Sequence, residues 1–455
     1  MITRKFSPLA AGLAVAFSLY HPGNLGRAQT TAPPSAAVAD TKTSSGDSFS
    51  LLDYLKQTIT FSGEIRTRWE GGLGSDFALT PASSYVLTRT RLGLAYRPLS
   101  WLRFFGEAQD ARVLFYKVSP GTSLDDPFDW RQSYVEIGAV EGEGVDLRVG
   151  RQDMVLGSGR LISSGDWSNV TKTFQIARGT ITESKFKMDM FAGSVVAVDT
   201  TRMDRPKPGE HFYGDYVTMG SLIPGATFEP YAFLKTDYGA AIVKGKDGKA
   251  GNADVIYLGG RLAGKAPFAI DYSVEAVKEI GKYADDDIDA FGFVGGGGWT
   301  LPGLPWKIRP NSEYIYASGD SGVTDGHHEN FDYLYGPQTV NSLTGQFAWK
   351  NIEDWRAGVD LSPWKKLVAT VSFRDYWLAN VKDSLYNSSG TKTVTNAKAT
   401  SNHVGEGVDT QFTYSLNPKT MFGIGVGTLS PGAYLVESKK TTGFIYPYLY
   451  ILKRL

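Results

Sequence analysis

In the stretch ITFSGEIRTRWE, residues 59–70, alternate positions sort into two kinds. Ile59, Phe61, Ile65 and Trp69 fall on one side, with Gly63 and Thr67 between them. Thr60, Ser62, Glu64, Arg66, Arg68 and Glu70 fall on the other. Successive side chains of a strand point to opposite faces, so this segment is a strand with an apolar face and a charged face. The pattern returns. In SYVLTRTRLGLAYRP, Val86, Leu92, Leu94 and Tyr96 oppose Arg89, Arg91 and Gly93. In WLRFFGEAQD, Leu102, Phe104, Gly106 and Ala108 oppose Arg103, Glu107 and Gln109. VDLRVGRQ sets Val145, Leu147 and Val149 against Asp146 and Arg148, and AIDYSVEA sets Ile270, Tyr272 and Val274 against Asp271 and Glu275. DWRAGVDL sets Trp355, Val359 and Leu361 against Asp354, Arg356 and Asp360. No long helical period competes, although residues 186–199 alternate poorly.

Both faces need an environment. A soluble sandwich would need a second sheet's worth of inward apolar residues to cover the apolar face. An outer-membrane barrel puts that face against lipid and the charged face in an aqueous lumen. The number of charged residues on the opposing faces favours the barrel, and the beginning of the chain agrees. Arg4 and Lys5 precede a run of about twelve apolar residues, too short to span a bilayer, and Gly26-Arg27-Ala28 offers small residues at a cleavage site. Residues 1–28 therefore read as a secretory signal peptide. Residues 29–50, rich in Ala, Thr, Ser and Pro, read as a disordered leader, and SLLDYLKQ as a short amphipathic turn of helix. Residues 51–455 are then the barrel.

The connections fit the same architecture. YRPLSWLRF, LIPGATFEP, LPGLPWKI, LSPWKKL and SLNPKTMFG each put a proline in a short link between strand ends, where no ladder hydrogen bond is lost. Trp101, Trp306 and Trp364 stand beside three of these prolines, as an interfacial aromatic girdle requires. Longer Gly-, Asp- and Lys-containing stretches such as 244–252 and 387–400 alternate with the short links. The last strand, FIYPYLYILKRL, carries Phe444, Tyr446, Tyr448, Tyr450 and Leu452 on one face. The fold class expected is all-β: a single antiparallel transmembrane β-barrel of about 16–18 strands.

Composition closes off other classes. Basic and acidic residues balance at 47 each, so no global field for nucleic acid exists. The absence of cysteine removes disulfides, thiolate metal sites, a cysteine nucleophile and a lipoprotein anchor. Of five histidines, His21 lies in the signal peptide, and no HExxH, GxSxG or phosphate loop is present, so an enzyme is not expected. The acidic groups Asp320, Asp325 and Asp332 and Asp285, Asp286, Asp287 and Asp289 read as solvated loops, and His327–His328 as a loop pair.

Two blocks resemble the alginate export family. Residues 149–179 carry its GRQ, G-x-x-RLI, DW-S/T-N and F-x-x-x-R signatures at Gly150, Arg151, Gln152, Gly157, Arg160, Leu161, Ile162, Asp166, Trp167, Asn169, Phe174 and Arg178. ASGDSGVTDGHHENFDYLYG, residues 317–336, is similar to its SGD, DG and FDxLY stretch. The resemblance implies an 18-stranded outer-membrane barrel whose constricted, arginine-rich lumen passes an anionic polysaccharide. Strand parity puts Arg66, Arg68, Arg89, Arg91, Arg103, Arg148, Arg261, Arg356 and Arg374 on the lumen face, while Arg151, Arg160 and Arg178 come from the family block. A planar guanidinium holds a carboxylate bidentately and stays charged at any working pH. The expectation is a passive channel for an anionic polysaccharide or acidic oligosaccharide, embedded in outer-membrane lipid, with periplasmic export machinery as a candidate partner and no bound cofactor. A general or small-anion porin for nutrient uptake is the alternative, and a barrel with a plugged lumen a third possibility.

Overall fold

The computed structural model describes residues 51–455 apart from 75–76, 79–81, 118–120, 221, 323–324, 338 and 340. The signal peptide and leader read over residues 1–50 lie outside the described residues. The described chain begins with helix α1 (Leu51–Thr58), where the short amphipathic turn is expected, and runs directly into β1 (Ile59–Gly72). There follow β2 (Ser83–Leu99), β3 (Leu102–Leu114), β4 (Asp126–Gly138), β5 (Gly144–Gln152), β6 (Phe174–Glu183), β7 (Phe186–Ala197), β8 (Glu210–Met219) and β9 (Ala226–Asp237). The second half supplies β10 (Ala253–Ala266), β11 (Ile270–Tyr283), β12 (Asp286–Trp299), β13 (Arg309–Ala317), β14 (Ile352–Trp364), β15 (Leu367–Trp377), β16 (His403–Asn417), β17 (Thr420–Pro431) and β18 (Phe444–Arg454).

Each strand pairs antiparallel with the next, and β1 pairs with β18 from Glu64↔Arg454 to Glu70↔Tyr448, which closes the sheet. Closure leaves no unpaired edge, the condition for a sheet in hydrocarbon. The alternation read from the sequence is the alternation of the wall. Phe61 and Ile65 are 75% and 50% exposed, while Arg66 and Arg68, on the opposite parity, are buried. Leu92, Leu94, Phe104, Val145, Leu147, Val149, Trp355 and Val359 continue the outward belt.

The two rims differ. One rim carries short links, such as those at residues 100–101, 365–366 and 418–419, together with exposed Trp101, Trp306, Trp364 and Phe268. An even number of strands brings the start of β1 and the end of β18 to this rim. The other rim carries the long segments 153–173, 318–351 and 378–402. These do not stand away from the barrel. Leu161, Ile162 and Trp167 of the first, Phe331, Phe347 and Trp349 of the second and Leu385 of the third share one buried cluster with inward strand residues Phe174, Phe212, Phe233 and Tyr257. Ile162 and Tyr335 pair as a parallel bridge, and Trp349 donates its Nε1–H to the Tyr316 carbonyl at 2.8 Å. Each fully buried phenylalanine such as Phe331 contributes about 1.5–3 kcal/mol to holding these segments in place. The hydrophobic core of this protein therefore lies inside the barrel, at the long-loop end. The aromatic face of β18 turns inward as well, with Tyr446 and Tyr448 buried and Ile445, Leu449 and Ile451 outside.

Candidate functional site

Four lumen arginines converge on one turn of the 153–173 segment. Arg66 on β1 and Arg89 on β2 sit directly opposite each other in the ladder, an arrangement of like charges that costs stability unless something neutralises it. The segment supplies the acceptors. Arg66 donates to the carbonyls of Asp166 (2.6 Å), Trp167 (3.2 Å) and Ser168 (2.9 Å). Arg68 donates to the Trp167 carbonyl at 2.6 Å, and its guanidinium lies 4.1 Å from the centre of the Trp167 ring. Arg89, with no exposed surface, pairs with Glu64 at 2.6 Å and with Asp166 Oδ1 at 2.9 Å. Arg91 reaches the same Asp166 oxygen at 3.0 Å, Thr171 Oγ1 at 3.0 Å and Gln109 Oε1 at 2.8 Å. Burial pushes the Asp166 carboxyl up, but the guanidinium groups of Arg89 and Arg91 outweigh it and hold it below the usual carboxylate range.

The other arginines fall into separate groups. Arg103 and Arg148 both donate to Glu136, the latter at 2.6 Å, and both lie near the Tyr134 ring, Arg148 at 4.6 Å. Arg356 and Arg374 face each other across β14 and β15. Arg356 donates to Asn311 Oδ1 at 2.6 Å and Arg374 pairs with Asp354. Arg160, carried by the inward segment, pairs with Glu313, the residue opposite Arg356. Arg261 pairs with Glu229 at 2.6 Å. Arg178 pairs with Asp189 at 2.8 Å, and Arg151 reaches Asp129 at 3.0 Å and the Asp204 carbonyl at 2.7 Å. Of the arginines expected from the sequence, Arg66, Arg68, Arg89 and Arg91 are the ones that form a ladder along one face of the lumen. The acidic loop residues meet lysines: Asp320 and Asp325 pair with Lys246, Asp332 with Lys235 and Asp287 with Lys282.

Three participants were not among the lumen residues expected from the sequence. Arg131 on β4 donates to Glu107, Asp153 and Thr171, carrying the basic group past β3. A ladder irregularity between Glu107 and Ala108 shifts the parity of β4, so simple alternation misplaces this side chain. Asp166 and Trp167 were seen as motif residues, and the structure makes them the acceptor and the ring that the arginines hold. The glycines of the same block have steric causes. At Gly150, with φ +130°, a Cβ would lie 2.3 Å from the Ser133 carbonyl oxygen, and at Gly157, with φ +54°, 2.2 Å from the Tyr216 hydroxyl.

A cavity of about 480 Å³ adjoins the ladder, lined by Arg68, Glu70, Tyr85, Tyr116, Trp167 and Tyr446 among others. It offers ring faces, a carboxylate and a guanidinium in one enclosure. Across the segment, Lys172 donates to the Gly336 carbonyl at 2.8 Å, tying the 153–173 and 318–351 segments together. Burial pushes its ammonium down to about 8.

Comparisons with known proteins agree with the architecture. The family profile described as alginate export matches residues 57–443. Among solved structures, Pseudomonas aeruginosa OpdO superposes with a TM-score of 0.61 at 11% identity, covering 88% of this chain and 97% of its own. The outer membrane protein OpdK of the same organism gives 0.58 at 11% identity, covering 87% and 98%. OccK8 (OprE), also from Pseudomonas aeruginosa, gives 0.59 at 11% identity, covering 87% and 98%. A comparison with functionally curated proteins found no match. At such identities the structural likeness establishes the fold, an outer-membrane β-barrel.

Proposed function

The chain belongs to the alginate export family, and on that premise we propose that it is a passive outer-membrane channel for an acidic polysaccharide of the polyuronate type. One observation carries the reading: the Asp166 carboxylate shared by Arg89 and Arg91 within 3.0 Å. The lumen wall is built to receive a carboxylate, and the chain's own segment presents one. Carbonyl oxygens from residues 166–168 accept from Nη groups of Arg66 and Arg68 as hydroxyl and ring oxygens of a sugar chain would. A polymer with one carboxylate per sugar replaces these contacts in kind, so the exchange of segment for substrate is close to balanced. Near balance is what flux needs, because a deep trap would stop it. Tyr85, Trp167 and Tyr446 beside Arg68 add ring surface for the apolar face of a sugar.

Passage of a polymer requires the 153–173 segment to leave the ladder. A small acidic solute is the second reading, favoured by the cavity of about 480 Å³ beside Arg68, which is of small-molecule size. Single-channel conductance of the refolded mature chain in planar bilayers, titrated with oligouronates of graded length, separates the two. Block that strengthens with oligomer length and weakens in Arg89→Ala/Arg91→Ala supports the polymer channel. Block by the monomer alone supports the small solute. Current indifferent to uronates of every length removes both.

A further inference from the structure

Three carboxylates meet at the long-loop rim, away from the ladder that would carry substrate. Asp126 and Asp129 lie at the start of β4, and Asp204 in the segment between β7 and β8. One oxygen from each lies within 4.8 Å of the others. Two oxygens bound to one calcium ion at about 2.4 Å can be at most about 4.8 Å apart, so every pair of these oxygens lies within the span that one ion bridges.

Acidic clusters are common on surfaces, but here the partners are wrong for a solvated one. Asp126 is 2% exposed and Asp129 3%. Asp129 is engaged on both oxygens, accepting from Arg151 Nη1 at 3.0 Å and from the backbone N–H of Asp204. Asp204 accepts from the backbone N–H of Asp199 at 2.7 Å. The Asp126 carboxylate, by contrast, has no hydrogen bond or ion pair among the described residues, although it is buried and aimed at the other two. A buried carboxylate without a partner costs several kcal/mol. Arg151 is the one guanidinium bonded to these three carboxylates, and Arg112, the other nearby cation, is paired with Asp110, so the cluster keeps an excess of negative charge. The other acidic loops differ in this respect, since lysines answer Asp320, Asp325, Asp332 and Asp287.

We propose that Asp126, Asp129 and Asp204 bind one calcium ion, which ties the β7–β8 segment to the start of β4. A divalent ion cancels the residual charge and gives Asp126 its missing partner. The donor set is all oxygen, which excludes the softer metals. One ligand comes from an irregular segment, and such mixed, adjustable geometry suits calcium better than magnesium, which demands a near-ideal octahedron. The carbonyl of Asp204 is already taken by Arg151 at 2.7 Å, so water completes the shell. Affinity in the range of extracellular modules, about 10⁻⁴–10⁻³ M, is expected.

The test is calorimetric titration of calcium chloride into the EDTA-stripped, refolded full-length barrel in detergent, paired with thermal melting. The wild type is expected to bind one calcium that Asp126→Asn and Asp204→Asn each weaken at least tenfold, with magnesium at least tenfold weaker. The melting curves should cross. Without calcium, Asp126→Asn melts at or above the wild type because a repelling charge is gone. With 10 mM calcium the wild type melts higher. If Asp126→Asn does not refold, Asp204→Asn in the loop carries the same expectation. No calcium uptake by the wild type at 10 mM overturns the proposal. So does uptake unchanged in both variants, which would put the ion elsewhere, and equal affinity for magnesium removes the choice of calcium.

Discussion

Asp166→Asn should unlatch the inward segment. In the wild type one carboxylate oxygen stands 2.9 Å from Arg89 and 3.0 Å from Arg91. Around it, Arg66, Arg89, Arg91 and Arg131 face Glu64, Asp166, Glu107 and Asp153 as counter-charges, and Arg68 is answered by Glu70. Removing Asp166 leaves four buried cations against three carboxylates, with Arg89 and Arg91 losing the oxygen they share. Breaking a buried pair from one side costs about 3–5 kcal/mol. The amide oxygen of asparagine keeps one hydrogen bond, and the carbonyls of residues 166–168 remain, so the lower figure of about 3 kcal/mol applies. That cost falls on the latched state alone and shifts the latched-to-released equilibrium by about 100-fold, at tenfold per 1.4 kcal/mol. The chain has no cysteine, so Ser164→Cys gives a single reporter in the buried part of the segment. Its labelling by a bilayer-impermeant maleimide should accelerate about 100-fold in the Asp166→Asn background, with a parallel rise in single-channel open probability. A folded Asp166→Asn barrel that labels and conducts within threefold of its parent would refute the reasoning.

The same carboxylate sets an acid limit. Its value in the latched state is held below the ordinary 3.8, so its contribution to latching is complete above that pH and is lost as pH falls further; open probability should rise only below about pH 4, and Asp166→Asn should abolish the rise. Lys172 acts with the opposite sign: burial lowers it from 10.5 to about 8, so the latched state gains as pH climbs from 8 towards 10.5, and openings should become rarer there unless Lys172 is replaced by Met. Glu136→Gln removes the shared acceptor of Arg103 and Arg148 and should cost about 3–5 kcal/mol in urea unfolding from liposomes; an unchanged midpoint would mean that this trio does not brace the wall. Leu92→Lys, 60% exposed in mid-strand, should cost about 2–4 kcal/mol in the same assay if that face meets hydrocarbon.

The wall was legible and the filling was not. Phe61, Leu92, Phe104 and Val149 sit outside because alternation with Arg66, Arg91, Arg103 and Arg148 dictates a two-faced strand, and the family block supplied the strand count. The rule falters on β7 for a physical reason. Its inward Phe191 packs 5.0 Å from Phe212 and 6.0 Å from Phe233, while Met190 is exposed outside, so both faces are apolar and the period vanishes. There the lumen is a core rather than a channel. Nothing local in 153–173 or 318–351 announces that these Gly-, Ser- and Asp-rich segments turn inward. The available signal was indirect: Phe331, Phe347 and Trp349 are large apolar residues in otherwise polar connections, and Phe212 and Tyr257 occupy lumen positions where water alone would not keep them. The arginines were found by parity, but parity says nothing about what they hold. On the inward segment, Arg66, Arg68 and Arg89 hold main-chain carbonyls of residues 166–168, which leave no mark in a sequence.

Trp167 stands across the seam of the barrel. Its ring is 4.8 Å from Tyr448 and 6.2 Å from Tyr450 on the last strand, and it lies under Arg68 of the first. The two strands that grip it are the first and last of the barrel, and they meet only when the cylinder shuts. The segment therefore has no complete seat in any partly assembled intermediate. Docking of this tryptophan becomes the final event of assembly, so a chain that fails to zip its ends stays unlatched and is distinguishable, by that exposed ring, from one that has finished.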